Sequence, residues 1–120
     1  MREVLFRGKS VVTGEWVYGS LIKATPYGAM VIYDENQIIH SVDVETVGQY
    51  TGSNDAEGNE IFTGDIVSIS YDKDRELAWK EEVIFHLGAF MAGDENLITN
   101  VNEHAKVIGN VYESPELLTE

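Results

Sequence analysis

The stretch VGQYTGSNDAEGNEIFTGDIV, residues Val47–Val67, indicates the fold more clearly than any other part of this 120-residue chain. Four glycines, Gly48, Gly52, Gly58 and Gly64, separate short segments in which apolar and polar residues alternate. Glycine adopts the positive φ that tight turns need, and alternation with a period of two is typical of half-buried strands. The stretch therefore predicts short β-strands joined by turns, and it contains no catalytic motif.

The same period-two pattern continues on both sides of this stretch, so the sequence predicts a mainly β fold. Four short segments near the N-terminus, around Phe6 and at 15–23, 29–33 and 37–41, are separated by turn residues and predict an antiparallel meander. Further strands are predicted at three places, which are 65–71, Leu77 to Phe85, and 105–112. Gly88 predicts a chain reversal, and Pro115 predicts a short C-terminal helical turn. About eight short strands favour a small barrel or sandwich.

The length fits one domain, residues 1–120, with two sub-regions expected, a meander at 1–41 and a barrel at 42–120. The chain has no cysteine, which excludes disulfides, thiolate catalysis and cysteine-based zinc sites. The first seven residues, Met1–Arg7, lack the apolar core of a signal peptide, and apolar runs fall far short of the ~20 residues of a membrane helix. These features allow a reducing cytoplasm, and they predict a protein that does not contact membranes.

The net charge of −13 is unevenly distributed along the chain. Residues 1–40 carry four basic and four acidic side chains, whereas residues 41–120 carry four basic and seventeen acidic ones. Binding to nucleic-acid phosphates requires a basic stripe, and none is visible. The sequence therefore predicts no direct nucleic-acid binding, while the acidic part either keeps the protein soluble or attracts basic partners.

Two aspartates in the central stretch are candidates for chemistry, but both are better explained as turn residues. A calcium loop counted from Ser53 would place Gly64 at the twelfth position, where a glutamate is needed, so the cluster around Asp55 does not match. We predict that Asp55 accepts backbone amides of its own turn and that Asp65 accepts amides at a strand entrance. The residues predicted to shape the fold at turns are Gly48, Gly52, Asp55, Gly58, Gly64, Asp65 and Gly109.

The three histidines, His40, His86 and His104, are too far apart in sequence for a local metal motif, and each falls in or beside a strand pattern. We predict structural roles for them, with no catalytic residue, no cofactor and no metal site. A metal-dependent hydrolase would require one of these imidazoles to meet carboxylates in a single cleft.

Three blocks of sequence, DVETVGQYTG at 43–52, NDAEGNEIFTGDIV at 54–67 and VIGNVYESPEL at 107–117, resemble the YopX family. Members are small proteins encoded by bacteriophages and prophages of mainly Gram-positive bacteria. The resemblance implies an SH3-like barrel with additional N-terminal strands and a location in the cytoplasm of the bacterial host. It implies no reaction, cofactor or catalytic residue.

We predict that the protein is a non-enzymatic binding module that acts through protein–protein contacts with a host or phage protein, or with a second copy of itself. One alternative is an acidic decoy that imitates DNA, and the least favoured is a metal-dependent hydrolase. Aromatic residues are the expected contact surface, although at least three of the five are also candidates for the core. These residues are Tyr50, Phe62, Tyr71, Trp79 and Tyr112.

Overall fold

The computed structural model describes residues 5–23 and 28–119 and consists of two compact units, Met1–Tyr50 and Thr51–Glu120. Both units are built from antiparallel strands, which confirms the prediction of a mainly β protein. The units divide after Tyr50, whereas the sequence placed the sub-region boundary after Ser41. No helix among the described residues is long and apolar enough to cross a membrane.

The first unit contains the predicted meander, in which each strand pairs with the next one along the chain. Its strands are β1 (Phe6–Lys9), β2 (Trp16–Lys23), β3 (Met30–Tyr33), β4 (Ile39–Val42) and the start of β5 (Gly48–Asn54). They lie in the order β4-β3-β2-β1-β5. The predicted turn at 26–28 falls largely outside the described residues.

The end of β1 also meets β4, which brings the first and fourth strands of the meander together. The Val11 amide donates to the Ser41 carbonyl at 3.0 Å, and the Asp43 amide donates to the Lys9 carbonyl at 2.9 Å. Val42 is buried in this unit, where the missing side chain of Gly8 makes room for it. A Cβ at Gly8 would lie 3.0 Å from the Val42 Cβ.

Asp43 caps the single 3₁₀ turn, Val44–Thr46, that follows β4. Its carboxylate accepts the Glu45 amide at 3.1 Å, and Thr46 completes the turn by donating its hydroxyl to the Asp43 carbonyl. The Thr46 hydroxyl oxygen also accepts the Lys9 amide at 2.9 Å, which attaches the turn to β1.

The second unit contains the later half of β5 together with six further strands and one short helix. These elements are β6 (Glu60–Phe62), β7 (Asp65–Ile69), β8 (Trp79–His86), β9 (Ala89–Ala92), β10 (Asn96–Leu97), α1 (Ile98–Val101) and β11 (Ala105–Asn110). β6 pairs with β5, and the other strands form a sheet in the order β10-β9-β8-β7-β11. The strand pairs of the described residues form no closed barrel, so the SH3-like barrel is not confirmed.

The main hydrophobic core lies in the second unit, beneath β7 and its neighbours. Its fully or almost fully buried side chains are Ile61, Val67, Ile69, Val83, Ala92, Ile98, Val101 and Ala105. Val67 and Ile69 alternate along β7 with the half-buried Ser68, as the period of a strand requires. β7 is the predicted central strand, flanked by β8 and β11.

The helix α1 was missed by the sequence analysis because it is only four residues long. Ile98 and Val101 face the core three positions apart, but a single turn does not establish a helical period. At the C-terminus, the predicted helical turn is a 3₁₀ turn at Pro115–Leu118.

The expected long strand beginning at Leu77 is wrong at its start, since β8 begins at Trp79. Leu77 lies instead in a turn region and is 79 % exposed. The Arg75 side chain reaches back to β7 and donates to the Ser68 carbonyl at 2.6 Å, and Arg75 has a φ of 57°. This local hydrogen bonding of the loop competes with strand pairing before Trp79.

A two-residue turn, Leu87-Gly88, joins β8 to β9 and confirms the reversal expected at Gly88. His86 pairs with Ala89 across the turn, and the turn residues have φ values of 52° and 83°. A two-residue turn with positive φ at both positions is the type whose twist matches that of the paired strands in a hairpin. Leucine is an unusual choice for the first position because its Cβ disfavours positive φ, and here the side chain is 92 % exposed.

Replacing Leu87 with asparagine is expected to raise the free energy of unfolding by about 1 kcal/mol, because asparagine tolerates this backbone conformation and no buried contact is lost. Urea denaturation measures the change. The matched control is Leu87→Ala, which removes the exposed side chain but keeps the strain. Equal stability of the two variants would contradict the explanation.

Candidate functional site

The first unit contains a groove of about 530 Å³ between β2 and the turn that joins β3 to β4. We call it the meander groove. It is lined by Leu5, Trp16, Val17, Tyr18, Gly19, Ser20, Tyr33, Asp34, Glu35 and His40. Three aromatic residues and two carboxylates therefore share one cavity, and its volume is in the range of small-ligand sites.

Gly19 lies at the position where β2 changes partners, and this shapes one side of the groove. Residues 16–19 pair with β1, and residues 20–23 pair with β3. At Gly19 the carbonyl oxygen of Tyr33 comes so close that a Cβ would lie 1.8 Å from it. Only a residue without a side chain allows the two strands to approach in this way.

Asp34 shapes the other side of the groove by organising the turn after β3. One carboxylate oxygen, Oδ1, accepts the amides of Asn36 at 2.9 Å and Ile38 at 3.0 Å. The backbone amide of Asp34 donates to the Ile38 carbonyl at 3.0 Å, and Gln37 takes a φ of 64°. These contacts return the chain into β4 and place His40 beside Asp34.

The second Asp34 oxygen, Oδ2, lies 2.8 Å from His40 Nε2, and both side chains are partly exposed. The hydrogen bond with His40, followed by that from the Ile38 amide, lowers the pKa of Asp34 below its ordinary value. The carboxylate is therefore ionised at neutral pH. The pair meets the geometric condition that we set for a hydrolase, an imidazole and a carboxylate in one cleft, although hydrolysis also requires an activated nucleophile or water.

The aromatic residues of the groove differ in their surroundings. The guanidinium of Arg7 lies over the Trp16 ring, 4.5 Å from its centroid, and Lys9 Nζ lies 5.9 Å from the same centroid. Tyr18 is 43 % exposed and Tyr33 is 36 % exposed. A cation therefore already stacks on one aromatic ring of the groove, while two further rings are accessible from outside.

Sequence reasoning missed this groove, although its parts were visible. Trp16 and Tyr18 alternate along a predicted strand, and this alternation indicates a strand but not a cavity. Asp34 and His40 flank a predicted turn, but sequence spacing alone does not show that their side chains meet.

The five aromatic residues predicted as a contact surface differ in burial and in their neighbours. Tyr50 lies half-buried in the first unit, and Phe62 is 2 % exposed in the second. Tyr71 is 63 % exposed, and its ring centroid lies 6.0 Å from that of Trp79. Tyr112 packs against Gly64, where a Cβ would come within 2.8 Å of the tyrosine ring.

The predicted turn glycines occupy varied positions. Gly48 opens β5 opposite Arg7 rather than lying in a turn, and Gly52 lies within β5 with a φ of 86°. Gly58 and Gly64 have φ values of 86° and 93° in the turns that flank β6. Gly109 lies at a shift in the register between β11 and β7.

The two predicted turn aspartates both accept backbone amides. Asp65 is 2 % exposed and accepts the Phe62 amide at 2.8 Å, which closes the turn between β6 and β7. Asp55 is 6 % exposed and accepts the amides of Glu57, Asn59 and Val107, each at 2.9 Å. Asp55 thus attaches the turn between β5 and β6 to β11.

The other two histidines, His86 and His104, lie in the second unit. The His104 ring centroid is 4.5 Å from that of Tyr71, and His86 ends β8. Burial raises the pKa of Glu81, and the negative charge of Asp94 adds to the effect. Among residues 5–23 and 28–119, no group of three or more histidines and carboxylates has the arrangement of a metal site.

The fold and the groove define a small antiparallel β protein with a mixed aromatic and acidic cavity in its N-terminal meander. The chain belongs to the YopX family, since the family model described as YopX protein matches residues 5–119. The structure is similar to the crystal structure of protein EF1440 from Enterococcus faecalis, with a TM-score of 0.63 and 22 % sequence identity. That likeness covers 98 % of this chain and 99 % of the other, and at this identity it concerns the fold alone. No curated protein matches the sequence.

Proposed function

We propose that this YopX-family protein is a non-enzymatic binding module, and that the meander groove is its contact site for a host or phage protein. The observation that carries the proposal is the presence of two accessible tyrosines, Tyr18 and Tyr33, beside the Asp34 and Glu35 carboxylates in one cavity. Tyrosine and tryptophan are enriched where proteins bind partners, because they contribute a large apolar area together with a polar group.

We also propose that the partner lies in the cytoplasm of a bacterial host. The resemblance to proteins encoded by bacteriophages and prophages supports this location, because phage genes are expressed inside bacteria. We also propose that residues 42–120 form an SH3-like barrel. The irregularity between Val107 and Gly109 and the positive φ of Gly52 support it, since bulges and glycine kinks are the bends that closing a small barrel requires.

Affinity capture with tagged protein from infected host lysate tests the contact site. Tyr18→Ala combined with Tyr33→Ala is expected to abolish recovery of a partner that the unaltered protein captures. The matched control is Tyr71→Ala, which removes a more exposed tyrosine from the second unit and is expected to leave capture unchanged. Capture that survives the double substitution, or that is lost equally in the control, would refute the groove as the contact site.

The same experiment at high salt separates this proposal from the acidic decoy. A decoy acts through the excess of carboxylates after position 40, so its complex is expected to dissociate in salt and to be insensitive to the two tyrosines. The Asp34–His40 pair is the observation that favours a hydrolase. The variant His40→Ala tests this alternative, because in a binding module it changes the affinity for the partner and abolishes no reaction.

A further inference from the structure

We infer that the meander groove binds the guanidinium group of an arginine side chain on a basic segment of the partner. This inference rests on the proposed function and specifies the chemistry of the ligand. It rests on the cation that the groove wall already carries, on two exposed tyrosines and on two carboxylates in the lining.

The wall of the groove shows that its aromatic surface accepts cations. Trp16 lines the cavity, and the Arg7 guanidinium lies 4.5 Å from its ring centroid, with Lys9 Nζ at 5.9 Å. Both distances fall within the roughly 6 Å over which a cation is attracted to an aromatic face. The chain thus provides an internal example of the contact that we propose for the partner.

Tyr18 and Tyr33 supply a second aromatic site on neighbouring strands. Ser20 pairs with Tyr33, and Tyr18 lies two residues earlier on β2, where that strand pairs with β1. Both tyrosines line the groove, and Tyr18 is 43 % exposed and Tyr33 36 % exposed. The planar guanidinium of arginine stacks on aromatic faces and binds carboxylates through two N–H groups at once, which suits this lining better than a compact ammonium group.

The lining of the groove supplies two carboxylates for a cation. They belong to Asp34 and Glu35, whereas the cations of Arg7 and Lys9 lie over the Trp16 ring of the same wall. Asp34 is kept ionised by the His40 ring and by two backbone amides, while Glu35 is exposed at the edge. A carboxylate beside stacked rings allows an arginine to form a charge-assisted hydrogen bond while its plane stays on the aromatic faces. The net charge of −13 further favours the approach of a basic segment.

The test is an NMR titration of the full chain with the peptide acetyl-Gly-Arg-Gly-amide at physiological ionic strength. The comparison peptide carries citrulline, which is neutral and has nearly the same shape as arginine. We expect saturable shifts at residues 16–20 and 33–40 with the arginine peptide and at least tenfold weaker binding of the citrulline peptide. Equal binding of the two peptides, or shifts spread over the acidic residues of the second unit, would overturn the inference.

Three variants locate the contact. Glu35→Gln and Tyr33→Leu are each expected to weaken binding of the arginine peptide about three- to tenfold, and Tyr71→Leu is expected to have no effect. Glu35 is exposed, so its variant keeps the test valid even where Tyr33→Leu destabilises the fold. Unchanged affinity in Glu35→Gln would overturn the inference. If capture of a protein partner depends on Tyr18 and Tyr33 but the arginine peptide binds no better than citrulline, the contact site stands and the arginine ligand is refuted.

Discussion

Replacing Asp55 with asparagine is expected to lower the free energy of unfolding by about 3 kcal/mol, which is a large part of the stability of a domain of this size. The Asp55 carboxylate is buried and accepts three backbone amides at 2.9 Å and the Asn59 side-chain amide at 3.3 Å. Asparagine has one oxygen fewer. Its NH₂ group would therefore face N–H donors, leaving at least one of them buried without an acceptor.

The effect of Asp55→Asn depends on pH in a defined direction. Burial alone would raise the pKa of Asp55, but the hydrogen bonds from Val107 and Asn59 outweigh it, and the folded-state pKa lies below the ordinary value of 3.8. A lowered folded-state pKa contributes stability above the unfolded-state pKa, and this contribution is lost as the pH falls through the folded-state value. The difference in stability between the two proteins should thus be largest at neutral pH and should narrow below about pH 4.

Urea denaturation at a series of pH values measures this difference. The control is the same substitution at Asp43, an exposed helix cap that accepts one amide. Asparagine caps helices nearly as well as aspartate, so the free energy of unfolding is expected to fall by less than about 1 kcal/mol. Asp55 is not the attachment point between the turn and β11 if the two substitutions lower the free energy of unfolding equally. The same conclusion follows if the stability difference between Asp55→Asn and the unaltered protein does not change with pH.

Replacing Gly19 with alanine is expected to lower the free energy of unfolding by about 3 kcal/mol or more, because the new Cβ would lie 1.8 Å from the Tyr33 carbonyl oxygen. The obstructing atom belongs to the backbone of β3, so rotation of a side chain does not relieve the clash. β2 and β3 must separate at this point, and the meander groove must change shape with them.

Thermal and urea unfolding measure the loss in Gly19→Ala, and titration with the arginine peptide measures the damage to the groove. The control is Gly14→Ala in the turn between β1 and β2, where φ is 75° but a Cβ meets nothing within 4 Å. That variant bears only backbone strain of about 1–2 kcal/mol and should keep the affinity for the peptide. A Gly19→Ala protein as stable as Gly14→Ala would refute the close approach of the two strands.

Much of the architecture could be predicted from local pattern. The alternation along 15–23 and 65–71 marked β2 and β7, because side chains on a strand point alternately to opposite faces. Asp55 and Asp65 were expected to accept turn amides, since short acidic side chains reach backbone donors two to four residues away. The acceptance of the Val107 amide by Asp55 could not be predicted, because the two residues are 52 positions apart.

The candidate site, in contrast, depends on contacts between strands. The tyrosines of the meander groove belong to two different strands, and their separation follows from the pairing of Ser20 with Tyr33. Helix α1 and the late start of β8 at Trp79 also escaped prediction, since one turn of helix and one arginine hydrogen bond leave no periodic signal.

The sequence by itself determined the family, the mainly β character and the order of the strands in the meander, because these depend on alternation and on turn residues that act over a few positions. Only the tertiary structure decided which aromatic and acidic side chains share a cavity. That outcome depends on the register of β2 against β3 and on the close approach at Gly19, where two distant segments fix each other's position.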